Sequence, residues 1–164
     1  MRFSEENLNR LLSSSNALNA VYELDSILCS ASHVSTEKPL FGLSKPSYFV
    51  HLVLMYIGEV GNGGHNQYFM NPNGVYANET LEALEKIGLS EIKNVLEKAI
   101  SIFPNEEIPK DFEKRKKVIE SFNEETLKTL EKSTKELYKY DMKCYPRILG
   151  YLKENWADIK KDAI

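Results

Sequence analysis

The stretch Tyr48–Asn71, YFVHLVLMYIGEVGNGGHNQYFMN, limits the possible folds more than any other part of the chain. Its first half is apolar on nearly every side, through Phe49, Val50, Leu52, Val53, Leu54, Met55, Tyr56, Ile57 and Val60. Only His51 and Glu59 interrupt it with groups that can carry charge. A helix that is apolar all round has to be covered by other elements, so residues 48–60 are predicted to form a buried central helix. At about a dozen residues it is too short to span a bilayer, which takes roughly 20. Next comes Gly61-Asn62-Gly63-Gly64, the densest glycine cluster of the chain, followed at once by His65, Asn66, Gln67 and Tyr68. This order predicts a sharp turn into a short second helix.

The flanking segments carry helical periodicity as well. Ser4 is placed to cap a first helix with Glu5 and Glu6 in its opening turn, and Leu8, Leu11 and Leu12 give it an apolar face. Ser13–Asn16 reads as a break with a second cap, leading into Ala17, Val21, Leu24, Ile27 and Leu28. Residues 30–46 read as a loop punctuated by Pro39, Gly42 and Pro46. Asn71-Pro72-Asn73-Gly74 is a stop signal, and a helix from Tyr76 is expected to bury Leu81, Leu84 and Ile87 and end at Gly88. Ile92, Val95, Leu96, Ala99, Ile100 and Phe103 then trace one face until Pro104. Asn123 caps a long helix facing inward through Leu127, Leu130, Thr134, Leu137 and Tyr138. A final helix from about Pro146 points Ile148, Leu149, Leu152, Trp156 and Ile159 one way. No stretch alternates with a period of two. The expected fold is all-α, a single compact multi-helix domain over residues 1–164 built around the buried helix at 48–60.

Charge and cysteine content narrow the function classes. The net charge of −3 lacks the basic footprint of a nucleic-acid or acidic-membrane binder, so direct nucleic-acid binding and membrane association are not expected. The first ~25 residues have no apolar core of a signal peptide, and a cytoplasmic location follows as an expectation. Cys29 and Cys144 are too few for a disulfide scaffold or a thiolate zinc site, and they read as reduced thiols.

Chemistry-bearing motifs are sparse in the chain. Gly61–Gly64 has no strand before it and no Lys-Ser/Thr after it, so it fails as a phosphate loop. Asn62 instead reads as a cap for the short helix, with the glycines letting two helices approach closely. Glu59 stands beside the backbone N–H groups that should open that second helix, which suits a buried acid tying the turn together; a ligand-binding acid is the other reading. His33, His51 and His65 share no i, i+4 spacing and lack a zinc motif, so no metal and no cofactor are expected. His51 and Glu59 lie about 80° apart around a helix and need not meet. His51 reads as a hydrogen-bonded core histidine. The aromatics around the turn, Tyr48, Phe49, Tyr68, Phe69 and Tyr76, read as packing.

The run Glu59-Val60-Gly61-Asn62-Gly63-Gly64-His65-Asn66-Gln67-Tyr68-Phe69-Met70-Asn71, with Gly74 and the helix at 79–84 after it, resembles a bacterial all-helical family of DNA-mimic proteins. The likeness continues through Ile102-Phe103-Pro104 and Pro109 to Tyr151-Leu152-Lys153-Glu154-Asn155, roughly residues 40–160. Gly61 stands where the family pattern has Asn, and His65 where it has an aromatic. The resemblance implies an all-α cytoplasmic domain that binds a protein partner, with a homodimer also allowed.

A DNA mimic must display dense carboxylates, because a duplex carries one phosphate charge per ~1.7 Å of axis. Residues 1–104 hold 7 basic and 11 acidic side chains, whereas residues 105–164 hold 14 and 13, including the run Lys114-Arg115-Lys116-Lys117. Glu79, Glu82 and Glu85 recur every three residues and form the one candidate acidic ridge; a solvated helix face is the plainer reading. The leading expectation is therefore a non-enzymatic protein-interaction module. An enzyme or small-ligand binder using Glu59, Asn62, Gly63, Gly64, His65, Gln67 and Tyr68 stands as the alternative.

Overall fold

A computed structural model describes residues 5–31 and 42–163. In chain order its helices are α1 (Glu5–Leu12), α2 (Ala17–Ala31), α3 (Lys45–Met70), α4 (Ala77–Ile87), α5 (Ser90–Ile100), α6 (Phe112–Glu120), α7 (Glu124–Leu137), α8 (Tyr145–Glu154) and α9 (Trp156–Ala163). Short 3-10 turns occupy Pro72–Tyr76, Pro104–Glu106 and Asp141–Lys143. No strand occurs among the described residues, and the fold is all-α as the periodicity predicts. The expected Ser4 cap, His33 and most of the expected 30–46 loop lie outside the described residues.

Contacts divide the chain into two units, residues 1–51 with 144–164 and residues 52–143. In the first, α2 packs against α1, α8 and α9. Asn16 caps α2 by accepting from the Asn19 backbone N–H at 3.2 Å, and Leu8, Leu11, Leu12, Val21, Leu24 and Leu28 fill the interior. The single final helix expected from Pro146 onward is two helices, α8 and α9. Asn155 departs from helical geometry between them (φ −108°, ψ 17°) and turns its amide back onto the Tyr151 carbonyl at 2.8 Å.

In the second unit α4 packs on α5 and α5 on α7. Gly88 ends α4 in the left-handed region at φ 86°, and the Leu89 N–H reaches back to the Leu84 carbonyl at 2.8 Å. Leu84 and Ile87 are buried as expected, but Leu81 is only half-buried, and Thr80 and Ala83 complete the inward face. Asn123 caps α7 through the Thr126 N–H at 2.9 Å. The inward face of α7 is Leu130, Ser133, Thr134 and Leu137, whereas Leu127 and Tyr138, expected inside, are exposed.

Helix α6 is an addition to the sequence reading. Asp111 opens it by accepting from the Lys114 N–H at 2.8 Å, and it buries only Ile119 and Arg115. Arg115 is 2% exposed, so it is no part of the solvated basic run in which it sits. Its Nε donates to the Phe69 carbonyl at 2.9 Å, and its terminal nitrogens donate to the carbonyls of Pro109, Lys110 and Asn71. One guanidinium thereby satisfies carbonyls that the end of α3 leaves without helical partners.

Candidate interaction site at the glycine break

Helix α3 carries the apolar stretch, and Phe49, Val50, Leu52, Val53, Leu54, Tyr56, Ile57 and Val60 are buried as predicted. The helix leaves helical geometry at Gly63 (φ −152°, ψ 18°) and Gly64 (φ 76°, ψ 178°), which divides it into a long first arm and a short second arm from His65 to Met70. At Gly64 an L side chain would be strained by the positive φ, and its Cβ would stand 3.2 Å from Thr134 Oγ1 on α7. At Gly63 a Cβ would collide with the Gln67 carboxamide, which lies over that α-carbon. The glycines do let two helices approach closely. The partner is α7.

A broken helix exposes backbone N–H groups at the start of its second arm. The cap expected from Asn62 is supplied from elsewhere. Asn62 is exposed, while Thr134 Oγ1 accepts the His65 backbone N–H at 3.1 Å and meets the His65 ring Nδ1 at 2.9 Å. The other ring nitrogen, Nε2, meets the Tyr56 hydroxyl at 2.8 Å. Burial lowers the His65 pKa to about 4, so the ring is neutral near pH 7. A neutral imidazole has one donor and one acceptor, which matches its two hydroxyl partners. Burial, together with Tyr68, pushes the Tyr56 phenol well above its usual range and keeps it protonated.

Around this network the aromatics interlock. Tyr56 meets Tyr68 edge-on at 5.0 Å between ring centroids, Phe69 meets Phe103 at 4.9 Å, and Phe103 meets Phe122 at 5.3 Å. Tyr68 is buried with its hydroxyl 3.3 Å from Thr80 Oγ1, so it serves packing.

Glu59 is half-buried, and its donors differ from those expected. Asn71 Nδ2 donates to one carboxylate oxygen at 3.1 Å, and Asn73 Nδ2 donates to the other. The carboxylate therefore ties the first arm to the Asn71-Pro72-Asn73-Gly74 turn beyond the second arm. Backbone N–H groups at the break are not its partners.

The candidate residues thus fall into separate groups. Glu59 joins Asn71 and Asn73, His65 joins Tyr56 and Thr134, and Gln67 covers Gly63. The Asn71 backbone N–H donates to the Gln67 carbonyl at 2.9 Å, but the side chains of the three sets do not meet at one point. On the outer side of the break, Gly63, Gly64, His65, Asn66, Leu127, Leu130, Glu131, Thr134 and Tyr138 line an open groove of about 350 Å³. Leu127 is 42% exposed and Tyr138 48%, and the Tyr138 hydroxyl donates to the Val60 carbonyl at 3.4 Å. On α4, Glu82 and Glu85 of the acidic ridge are exposed and Glu79 is half-buried; Glu85 pairs with Lys93 at 3.3 Å, which also meets Glu97.

His51 is hydrogen-bonded, as expected, but it brings together residues that the sequence does not single out. It is half-buried against Asp25 and Cys29 of α2. Burial acts to lower its pKa; the bonds to Asp25 and Cys29 outweigh that and hold it at about 10. The i, i+4 spacing of Asp25 and Cys29 was the signal available for this cluster.

No curated protein and no solved structure matches the chain. A family model described as DMP19-like protein matches residues 42–155, a segment holding the whole glycine break, Glu59, Arg115 and the groove. The chain therefore belongs to the DMP19-like family, the DNA-mimic protein family that its Glu59–Asn71 motif resembles.

Proposed function

We propose that the chain is a non-enzymatic module that acts in the cytoplasm by binding a protein partner at the groove beside the glycine break. The observation carrying this reading is the exposure of Leu127 and Tyr138 on the rim of a groove whose wall is the family motif itself. A tyrosine left half in solvent is a residue type that anchors interfaces, and the part-exposed Leu127 adds apolar surface beside it. Each is already about half covered, so completing its burial contributes about 1 kcal/mol. Glu59, His65 and Gln67 are engaged within the fold and do not converge on a common point, which favours binding over catalysis. No described helix is long and apolar enough to cross a membrane.

Family membership favours a DNA-binding protein as the partner, and this gives a second reading in which the α4 ridge stands in for phosphates. Glu85 is neutralised in part by Lys93, so the ridge offers less unpaired charge than its spacing suggests. Affinity capture with the wild-type chain, a Leu127→Ser/Tyr138→Ser variant and a Glu79→Gln/Glu82→Gln/Glu85→Gln variant separates the two surfaces. A second copy of the chain would register as a self-association lost with the first variant.

A further inference from the structure

On α2, Asp25 and Cys29 stand one helical turn apart, and His51 of α3 faces both. His51 Nδ1 lies 3.1 Å from each Asp25 carboxylate oxygen and 3.2 Å from Cys29 Sγ, while Cys29 Sγ lies 3.8 Å from Asp25 Oδ1. One ring nitrogen therefore faces three lone-pair-bearing atoms, although it holds at most one proton to share among them. The His51 and Asp25 side chains are 18% and 16% exposed, so the cluster is sheltered but reachable.

We propose that Asp25, Cys29 and His51 form a binding site for a zinc-type divalent cation and supply three of its ligands. The donor set decides the metal class. A thiolate, an imidazole and a carboxylate are the ligands zinc takes, whereas calcium and magnesium require a shell of oxygens. The spacing agrees. Zinc bonds of about 2.0–2.3 Å at tetrahedral angles place their donor atoms about 3.3–3.6 Å apart. The three donor pairs here stand at 3.1, 3.2 and 3.8 Å, so small side-chain shifts bring them onto one ion. Binding releases the thiol proton and any proton on Nδ1 to solvent and leaves the oxidation state of the metal and the cysteine unchanged. Two of the three ligands, Asp25 and Cys29, precede residue 42, and the third, His51, lies within the family-matched segment.

The test uses the full-length chain stripped with a chelator and titrated with cobalt(II), then with zinc. The expected result is one cobalt per chain, with a thiolate-to-cobalt charge-transfer band that zinc abolishes at one equivalent, and a melting midpoint raised by zinc. Cys29→Ser should remove the band, Cys144→Ser should leave it intact, and His51→Gln should weaken zinc binding by more than about 100-fold, since loss of a ligand exceeds the roughly 10–100-fold cost of losing a supporting hydrogen bond. Circular dichroism of the metal-free variants establishes that they remain helical. If Cys29→Ser fails to fold, the Cys144→Ser titration decides, because Cys29 is then the one thiol left in the chain. A wild-type chain without a thiolate band, or a band that survives Cys29→Ser, overturns the proposal.

Discussion

The hydroxyl of Thr134 serves His65 twice, lying 3.1 Å from its backbone nitrogen and 2.9 Å from its ring Nδ1. A side chain 69 residues downstream thus caps the arm that the glycine break opens. Replacing it by the near-isosteric valine leaves both nitrogens of a fully buried residue without that partner. Thr134→Val should lower stability by about 1–3 kcal/mol, and Thr134→Ser by much less, as read from denaturant midpoints at equal slope. A larger loss for Thr134→Ser than for Thr134→Val would assign the effect to packing of the methyl group, which valine keeps.

The buried His65 makes stability depend on pH in a defined window. Its pKa is about 4 when folded, against the 6.5 of a histidine in water, so between those values the unfolded chain binds the extra proton. Stability from this group is complete above about pH 6.5, falls as the pH drops, and reaches its full loss of about 3 kcal/mol near pH 4. The comparison that isolates it is the pH profile of wild type against His65→Phe. The difference between the profiles should be confined to that window; parallel profiles would mean that the ring titrates alike in both states.

Glu59 should behave as a structural tie. Glu59→Ala leaves the Asn71 and Asn73 amides without their acceptor and should cost roughly 1–3 kcal/mol in thermal or denaturant unfolding. Partner binding should persist at temperatures where the variant is folded. An unchanged melting midpoint combined with lost binding would make Glu59 a functional residue.

Much of the fold is legible in the sequence because local signals set it. The apolar run of α3, the Asn123 cap and the Gly88 stop each act over a few residues, or through burial that composition alone demands. The site was less legible because its decisive contacts are tertiary. The spacing Leu152-Trp156-Ile159 is helical, yet the chain breaks at Asn155. Arg115 is hidden by its lysine neighbours, and only the fold shows that it serves the carbonyls at the end of α3. Leu127 and Tyr138 fit the inward pattern of α7 but lie at its two ends, where the interior has given way to the groove. His51 finds Asp25 across 26 residues, a pairing that no short motif encodes.

The acidic ridge separates phosphate mimicry from a solvated helix face. Changing Glu79, Glu82 and Glu85 to glutamine removes three charges with little effect on helix propensity, so circular dichroism should be unchanged. With the ridge as a solvated face, a captured partner should bind the variant within about twofold of wild type at both low and high salt, and duplex DNA should not compete. A strong loss at low salt together with competition by DNA would establish mimicry.

The most direct test of the groove as the binding surface is quantitative affinity capture from native cytoplasm with three baits: wild type, Leu127→Ser/Tyr138→Ser, and the triple glutamine variant. Loss of two half-exposed side chains worth about 1 kcal/mol each predicts at least about a tenfold drop in partner recovery for the groove variant. The triple variant should recover the partner as wild type does. Equal recovery of the same protein by wild type and the groove variant, with circular dichroism showing both folded, would contradict the account.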